Sequence, residues 1–200
     1  MVDTFWRQSP LSHLNLAVRA GRGPADAGIV LTERPFQAAV NLRGRAEPEF
    51  LAAVVDAFGL MLPLNSPETA TEGTVTALWL GPDEWLICGG GDGAALVDRL
   101  RGALDTHHAA VTDVSENYTI IRLSGPRAAD VLAKGCPLDL HPVSFQPGHV
   151  AQTLIARADV ILHQTGADAY DIHVRRSFAE YLWTWLEDAG LEYGVAVGEG

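Results

Sequence analysis

The spacing of apolar positions along this chain changes several times, and each change marks an element. In Tyr118–Leu123 the run Tyr-Thr-Ile-Ile-Arg-Leu is rich in β-branched and aromatic residues, which suit a pleated, partly buried surface. It stops at Ser124-Gly125-Pro126, where serine can cap and proline can take a first helical position. A short helix is predicted over Arg127–Lys134, with Val131 and Leu132 as its buried stripe and Lys134 at its negative end. Gly135 is expected in the left-handed conformation that terminates it, and Cys136-Pro137 prevents continuation. Leu138–His149 then reads as an irregular connection held by packing, because its prolines leave few regular hydrogen bonds.

The same patterns recur on either side. Ile29–Glu33 and Phe36–Leu42 are predicted strands around Arg34-Pro35. A helix follows from Pro48, with Phe50, Leu51, Val54, Val55 and Phe58 at helical spacing until Gly59 stops it. Met61–Gly73 reads as a loop. Val75–Leu80 and Trp85–Cys88 form a hairpin across Gly81–Glu84, Asp92 caps a helix over Ala94–Leu104, and Ala109–Val114 is a strand. Beyond the central stretch, Thr153–Ile155, Asp159–His163 and Tyr170–Val174 are strands. Ser177–Ala189 is a helix that places Phe178, Tyr181, Leu182, Trp185, Leu186 and Ala189 on one face. Trp183 falls about 100° round from that stripe, where a packed helix normally carries polar groups.

A repeat links the two halves. Val40-Asn41-Leu42-Arg43-Gly44 corresponds to Ile121-Arg122-Leu123-Ser124-Gly125, and after each come a short helix, a loop, a strand hairpin and an amphipathic helix. The fold class is therefore α+β: two similar antiparallel sheet-plus-helix units in a pseudo-duplicated scaffold with a central groove suited to a ligand. The expected boundaries are an N-terminal arm over 1–28, a first unit over 29–115, a second over 116–193 and a tail over 194–200.

Composition narrows what such a scaffold does. Its 200 residues are 48% apolar, enough for a sizeable core, and a net charge of −11 argues against nucleic acid, which needs Lys and Arg to displace counterions. The start, MVDTFWRQSPLSH, has no apolar signal core, and the apolar stretch Phe50–Leu64 is broken by Asp56, Gly59 and Pro63, so no membrane segment is expected. Cys88 and Cys136 read as reduced, packed thiols, in keeping with a cytoplasmic protein. Phe5 and Trp6 sit in the irregular arm. With Trp183 they offer aromatic anchors for a protein partner, the alternative being that each folds onto its own unit.

Local chemistry is sparse. There is no dinucleotide or phosphate-loop motif and no nucleophile elbow, and Gly89–Gly93 joins a strand to a helix as a turn. None of the seven histidines pairs with a cysteine or another histidine at zinc spacing, so no metal site is expected. His141 and His149 flank the proline-rich connection without a carboxylate at a fixed offset. Cys136 follows a helix C-terminus, which disfavours a thiolate. Asp113, Glu116 and Asp139 have no readable partner.

The string Leu132-Ala133-Lys134-Gly135-Cys136-Pro137-Leu138-Asp139-Leu140-His141-Pro142, with Gly81–Trp85 and Arg175–Phe178, resembles the gamma subunit of heterotetrameric sarcosine oxidases from about Ser9 to Gly190. More distantly the chain resembles the folate-binding aminomethyltransferase, or glycine-cleavage T-protein, fold. The resemblance implies a non-catalytic assembly subunit that packs against other oxidase subunits, chiefly the large alpha subunit. The complex would oxidise sarcosine to glycine and pass the one-carbon unit to tetrahydrofolate, with FAD, FMN, NAD and zinc on other subunits. The T-protein signature Tyr-Thr-Gly-Glu-x-Gly-x-Glu falls on Gln164–Asp171: Thr165 and Gly166 match, and only the last acid survives, as Asp171. That residue is the candidate pterin contact. The alternative function is a stand-alone folate-binding or aminomethyltransferase-like protein, and a homodimer of the isolated chain is also open.

Overall fold

Residues 7–89 and 91–199 are described by the structure, a computed structural model. Its strands are β1 (Ile29–Arg34), β2 (Ala38–Gly44), β3 (Thr69–Glu72), β4 (Val75–Gly81), β5 (Glu84–Gly89), β6 (Ala109–Asp113), β7 (Tyr118–Ser124), β8 (Val150–Ile155), β9 (Ala158–Gly166), β10 (Ala169–Arg175) and β11 (Val195–Val197). The helices are α1 (Leu16–Arg19), α2 (Pro48–Phe58), α3 (Gly93–Ala103), α4 (Ala128–Ala133) and α5 (Ala179–Gly190). One sheet has the order β3-β4-β5-β2-β6 and the other β8-β9-β10-β7-β1-β11.

Alternation along each strand sorts its side chains between two cores. Val40 and Leu42 of β2 join Trp85, Ile87 and the inward residues of α2 and α3, whereas Ala39, just before Val40, turns the other way. Ile121 and Leu123 of β7 likewise meet Val131, Leu132, Leu182, Trp183 and Leu186 of α4 and α5. Ala39, Leu78 and Leu86 of one sheet pack against Val150 and Ile161 of the other. Helices thus cover the outer faces and the two sheets meet along a narrow apolar seam. The repeat is real at the level of pairing: β2-β5-β4-β3 and β7-β10-β9-β8 have the same order and antiparallel sense.

The units do not divide where the sequence pattern placed the boundary. β1 belongs to the second sheet, antiparallel to β7 with Leu31 opposite Leu123. Pro35 has no backbone donor and Phe36 has φ of 60°, so the chain leaves one sheet there and enters the other. In the first sheet β6 lies beside β2; the matching slot beside β7 is taken by β1, and β11, within the stretch expected as a tail, pairs parallel to the far edge of β1. The arm is also tied down. Leu11 is fully buried in the second core, Ser9 Oγ donates to the Glu33 carboxylate, and Arg7 donates to Glu116 at 2.6 Å while lying over the Phe36 ring. Phe5 and Trp6 lie outside the described residues.

Other expectations need correction. Met61–Gly73 contains β3, whose Thr-Ala-Thr-Glu run turns into β4 at Gly73 with φ of 57°. Gly135 is not the left-handed cap expected of it. A Cβ there would stand 2.6 Å from the Trp185 ring, so close approach is what calls for glycine. In α5 the buried stripe is Ala179, Leu182, Trp183, Leu186 and Gly190. A 3-10 turn at Arg176–Phe178 precedes α5, and the small Ala179 and Gly190 take places on its inward face. Trp183 is therefore core, with no exposed surface, and cannot anchor a partner. Phe178 and Tyr181, expected inside, are exposed and meet edge to face at 6.4 Å.

Candidate functional site

Polar cavities open on both sides of the apolar seam. The first, about 370 Å³, lies between the β3-β4 hairpin and the inner face of β7, β10 and β9. Register builds its floor. Arg122 of β7 stands opposite Asp171 of β10, His163 of β9 stands on the other side of Asp171, and Arg34 ends β1 opposite Ile120, two residues before Arg122.

Asp171 is deeply buried and held by two arginines. Arg122 donates to it through Nε at 2.7 Å and Nη2 at 3.0 Å, and Arg34 donates through Nη1 at 2.7 Å. Both guanidiniums remain more than a third exposed, against 7% for the Asp171 side chain. On the opposite wall, Thr71 and Thr76 hydroxyls lie 3.0 Å apart and Thr69 donates to the Gly148 carbonyl. Burial, reinforced by His163 and Arg34 and opposed by Asp171, pushes the His173 imidazole down to about 4. Burial and Arg122 lower His163 in the same direction. Burial first, then Asp171, raises the Cys88 thiol to about 12. At neutral pH the two imidazoles and the thiol are uncharged, and two guanidiniums face one carboxylate.

The second cavity, about 800 Å³, is built from the corresponding parts: the inner face of the first sheet and the β8-β9 hairpin. Asn41 takes the place of Arg122, Leu86 that of Asp171, and Val114, whose N–H donates to Ala39, that of Arg34. Asn41 donates to Glu84 at 2.7 Å. Its charged lining is Glu84, Asp159 and Arg175, the opposite balance.

Asp171 thus lines the groove, with Arg34 and Arg122 on its carboxylate. A pterin presents N–H donors and needs acceptors, and the Asp171 oxygens already accept N–H bonds from Arg34 and Arg122. The remaining candidates are structural. Asp92 accepts from the Ala94 N–H at 3.0 Å and caps α3. Asp139 accepts from the His141 N–H at 3.0 Å and from Ser144 Oγ at 2.6 Å, which fastens the proline-rich turn and lowers its own carboxyl below the usual range. His149 packs edge-on to Phe145, and the Cys136 sulfur lies buried 3.8 Å from Thr153 Oγ1. No group of three or more metal-ligating side chains is assembled among the described residues. Arg34 and Arg122 escaped notice because only cross-strand register brings them to Asp171. An arginine inside the apolar run Tyr118–Leu123 was the available signal.

The profile of the sarcosine oxidase, gamma subunit family matches residues 43–192. The chain belongs to this family. It is 38% identical over 198 residues to the sarcosine oxidase subunit gamma of Corynebacterium sp. (strain U-96), covering 98% of this chain and 96% of that one. Its fold matches a chain of the heterotetrameric sarcosine oxidase from Corynebacterium sp. U-96 in complex with pyrrole 2-carboxylate, with a TM-score of 0.85, 36% identity, and coverage of 94% and 96%. The glycine cleavage system aminomethyltransferase T of Bartonella henselae matches with a TM-score of 0.70 at 16% identity, covering 96% of this chain and 59% of that one, a likeness of fold alone. Within the family match lie Arg122 and Asp171; Arg34 precedes it. No described helix is long and apolar enough to cross a membrane.

Proposed function

We propose that this chain is a structural subunit of a sarcosine oxidase assembly, packing against the large alpha subunit and forming no reaction centre of its own. The observation that carries the reading is the near full-length likeness, in sequence and fold, to a chain of a heterotetrameric sarcosine oxidase. The state of the cavity's ionisable groups supports it. A carboxylate held by two arginines is a poor base, a thiol raised to about 12 is a poor nucleophile, and imidazoles depressed by burial do not cycle near neutrality. The assembly would oxidise sarcosine to glycine and deliver the one-carbon unit to tetrahydrofolate, with FAD, FMN, NAD and zinc on its other subunits. For the contact itself, the exposed pair Phe178 and Tyr181 replaces Trp183 as the aromatic anchor.

The test is co-purification of the tagged chain from its own host grown on sarcosine, with a visible spectrum and mass identification of what accompanies it. A flavin-coloured complex of larger chains that oxidises sarcosine is expected. A colourless solitary chain in cells whose oxidase is active would overturn the reading. Replacing Phe178 and Tyr181 by serine together should release the chain while leaving it folded; unchanged co-purification would move the interface elsewhere. A stand-alone folate binder is less favoured, because Arg34 and Arg122 already occupy most of the acceptor capacity of Asp171. A pterin without a carboxylate tail should leave the isolated chain unperturbed.

A further inference from the structure

We infer that the smaller inter-sheet cavity is a binding site for a small carboxylate anion, held by the guanidiniums of Arg34 and Arg122. The charge of the cavity is the first reason. Two arginines share one carboxylate, leaving a single positive charge uncompensated in a chain whose net charge is −11. Electrostatic attraction within a partly closed, low-dielectric cavity favours an anion there more than the overall charge disfavours it.

Geometry supplies the second reason. Asp171 takes Nε and Nη2 of Arg122 and Nη1 of Arg34, so both planar groups are fixed in direction before any ligand arrives. The remaining N–H groups, Nη1 of Arg122 and the Nε and Nη2 of Arg34, have no acceptor among the described residues. A fixed fork of donors matches the planar, singly charged carboxylate, and the pre-organisation lowers the entropic cost of binding. A phosphate dianion would leave negative charge unmatched. The hydroxyl-rich wall of Thr71, Thr74 and Thr76 opposite can hydrogen-bond a polar body attached to the carboxylate.

The third reason separates a binding role from a scaffolding one. At the corresponding positions of the other unit stand Asn41, Leu86 and Val114, and that unit closes an equivalent sheet around them. The fold therefore does not require an arginine pair on a buried acid. Such a cluster is by itself a weak stabiliser, because desolvation offsets its attraction.

The experiment is an NMR titration of the full, isotope-labelled chain with sodium benzoate, with benzamide as the neutral isostere and inorganic phosphate as the rival anion, all at constant ionic strength. Benzoate should give saturable shifts at the Arg34 and Arg122 side-chain N–H groups and at Thr76, benzamide none, and phosphate weaker ones. Arg34→Gln leaves the Arg122–Asp171 fork in place and should weaken benzoate about tenfold, the scale of one charge-assisted contact. The inference falls if benzoate gives no saturable shifts, if benzamide moves the same groups equally, if phosphate binds more tightly, or if folded Arg34→Gln binds benzoate unchanged. The wild-type titrations decide the matter even if the variant does not fold.

Discussion

The two cavities are made from corresponding parts of a repeated unit, yet one holds two arginines on a buried aspartate and the other an asparagine beside a leucine. What both units share is the apolar seam of Ala39, Leu78, Leu86, Val150 and Ile161 and the helix-covered cores outside it. The difference teaches which positions the scaffold constrains: the outer cores are apolar in both units, whereas the inner faces vary, Leu86 of the seam standing where the other unit has Asp171. A duplicated fold supplies its own control in this way.

The largest expected effect tests the ionic floor directly. Arg122→Leu leaves Asp171 buried with one guanidinium and should cost about 3 kcal/mol in urea unfolding, the scale of breaking a buried pair. Asn41→Leu, its counterpart, loses one hydrogen bond to a half-buried Glu84 and should cost about 1 kcal/mol. Equal losses would break the comparison. Arg122→Asn with Asp171→Leu, which copies the first unit into the second, should recover most of the loss.

Acid should act on one cavity alone. His173 is held down from 6.5 to about 4, so between those values the unfolded chain takes up a proton that the folded chain refuses. Its contribution to stability is complete above pH 6.5 and is lost as the pH falls towards 4, amounting to about 3 kcal/mol. His163, lowered likewise, adds to the loss; Asp171 opposes it, Arg34 favours it, and Cys88 stays protonated throughout. No histidine among the described residues lines the second cavity. His173→Leu should therefore flatten the stability profile over this range, and an unchanged slope would locate the acid sensitivity elsewhere.

A smaller contrast lies in the outer cores. Trp85 and Trp183 are both fully buried, but Trp85 donates to the Pro63 carbonyl at 2.8 Å while the Trp183 indole N–H has no partner among the described residues. Trp85→Phe should therefore cost about 1 kcal/mol more than Trp183→Phe by thermal unfolding, because only the first orphans a buried carbonyl.

How much of this was legible in the sequence follows from range. Period and capping are local, so α2, α3 with its Asp92 cap, the β4-β5 hairpin and the strand opening each repeat could be read directly. Helix phase was harder. The inward stripe of α5 runs through the small Ala179 and Gly190, which brings Trp183 inside and puts Phe178 and Tyr181 out. β3 and β11 are short edge strands, the first mostly polar and the second three residues long, too brief for a period to show. The sheet to which β1 belongs, and the meeting of Arg34, Arg122 and Asp171, depend on contacts between residues far apart in the chain, 49 for Arg122–Asp171 and 137 for Arg34–Asp171, which no local pattern encodes.

The placement of β1 also bears on the order in which the protein is made. Ile29–Arg34 is synthesised before either of its neighbours, since β7 begins at Tyr118 and β11 at Val195. A nascent chain can complete the first sheet, through β6, while its earliest strand still has both edges unpaired. Non-local pairing of this kind is slow and leaves strand edges exposed to other chains. The second half, emerging later, assembles around a strand that has been waiting for it, so the halves cannot be expressed as separate pieces cut at residue 115 without depriving the C-terminal piece of an interior strand.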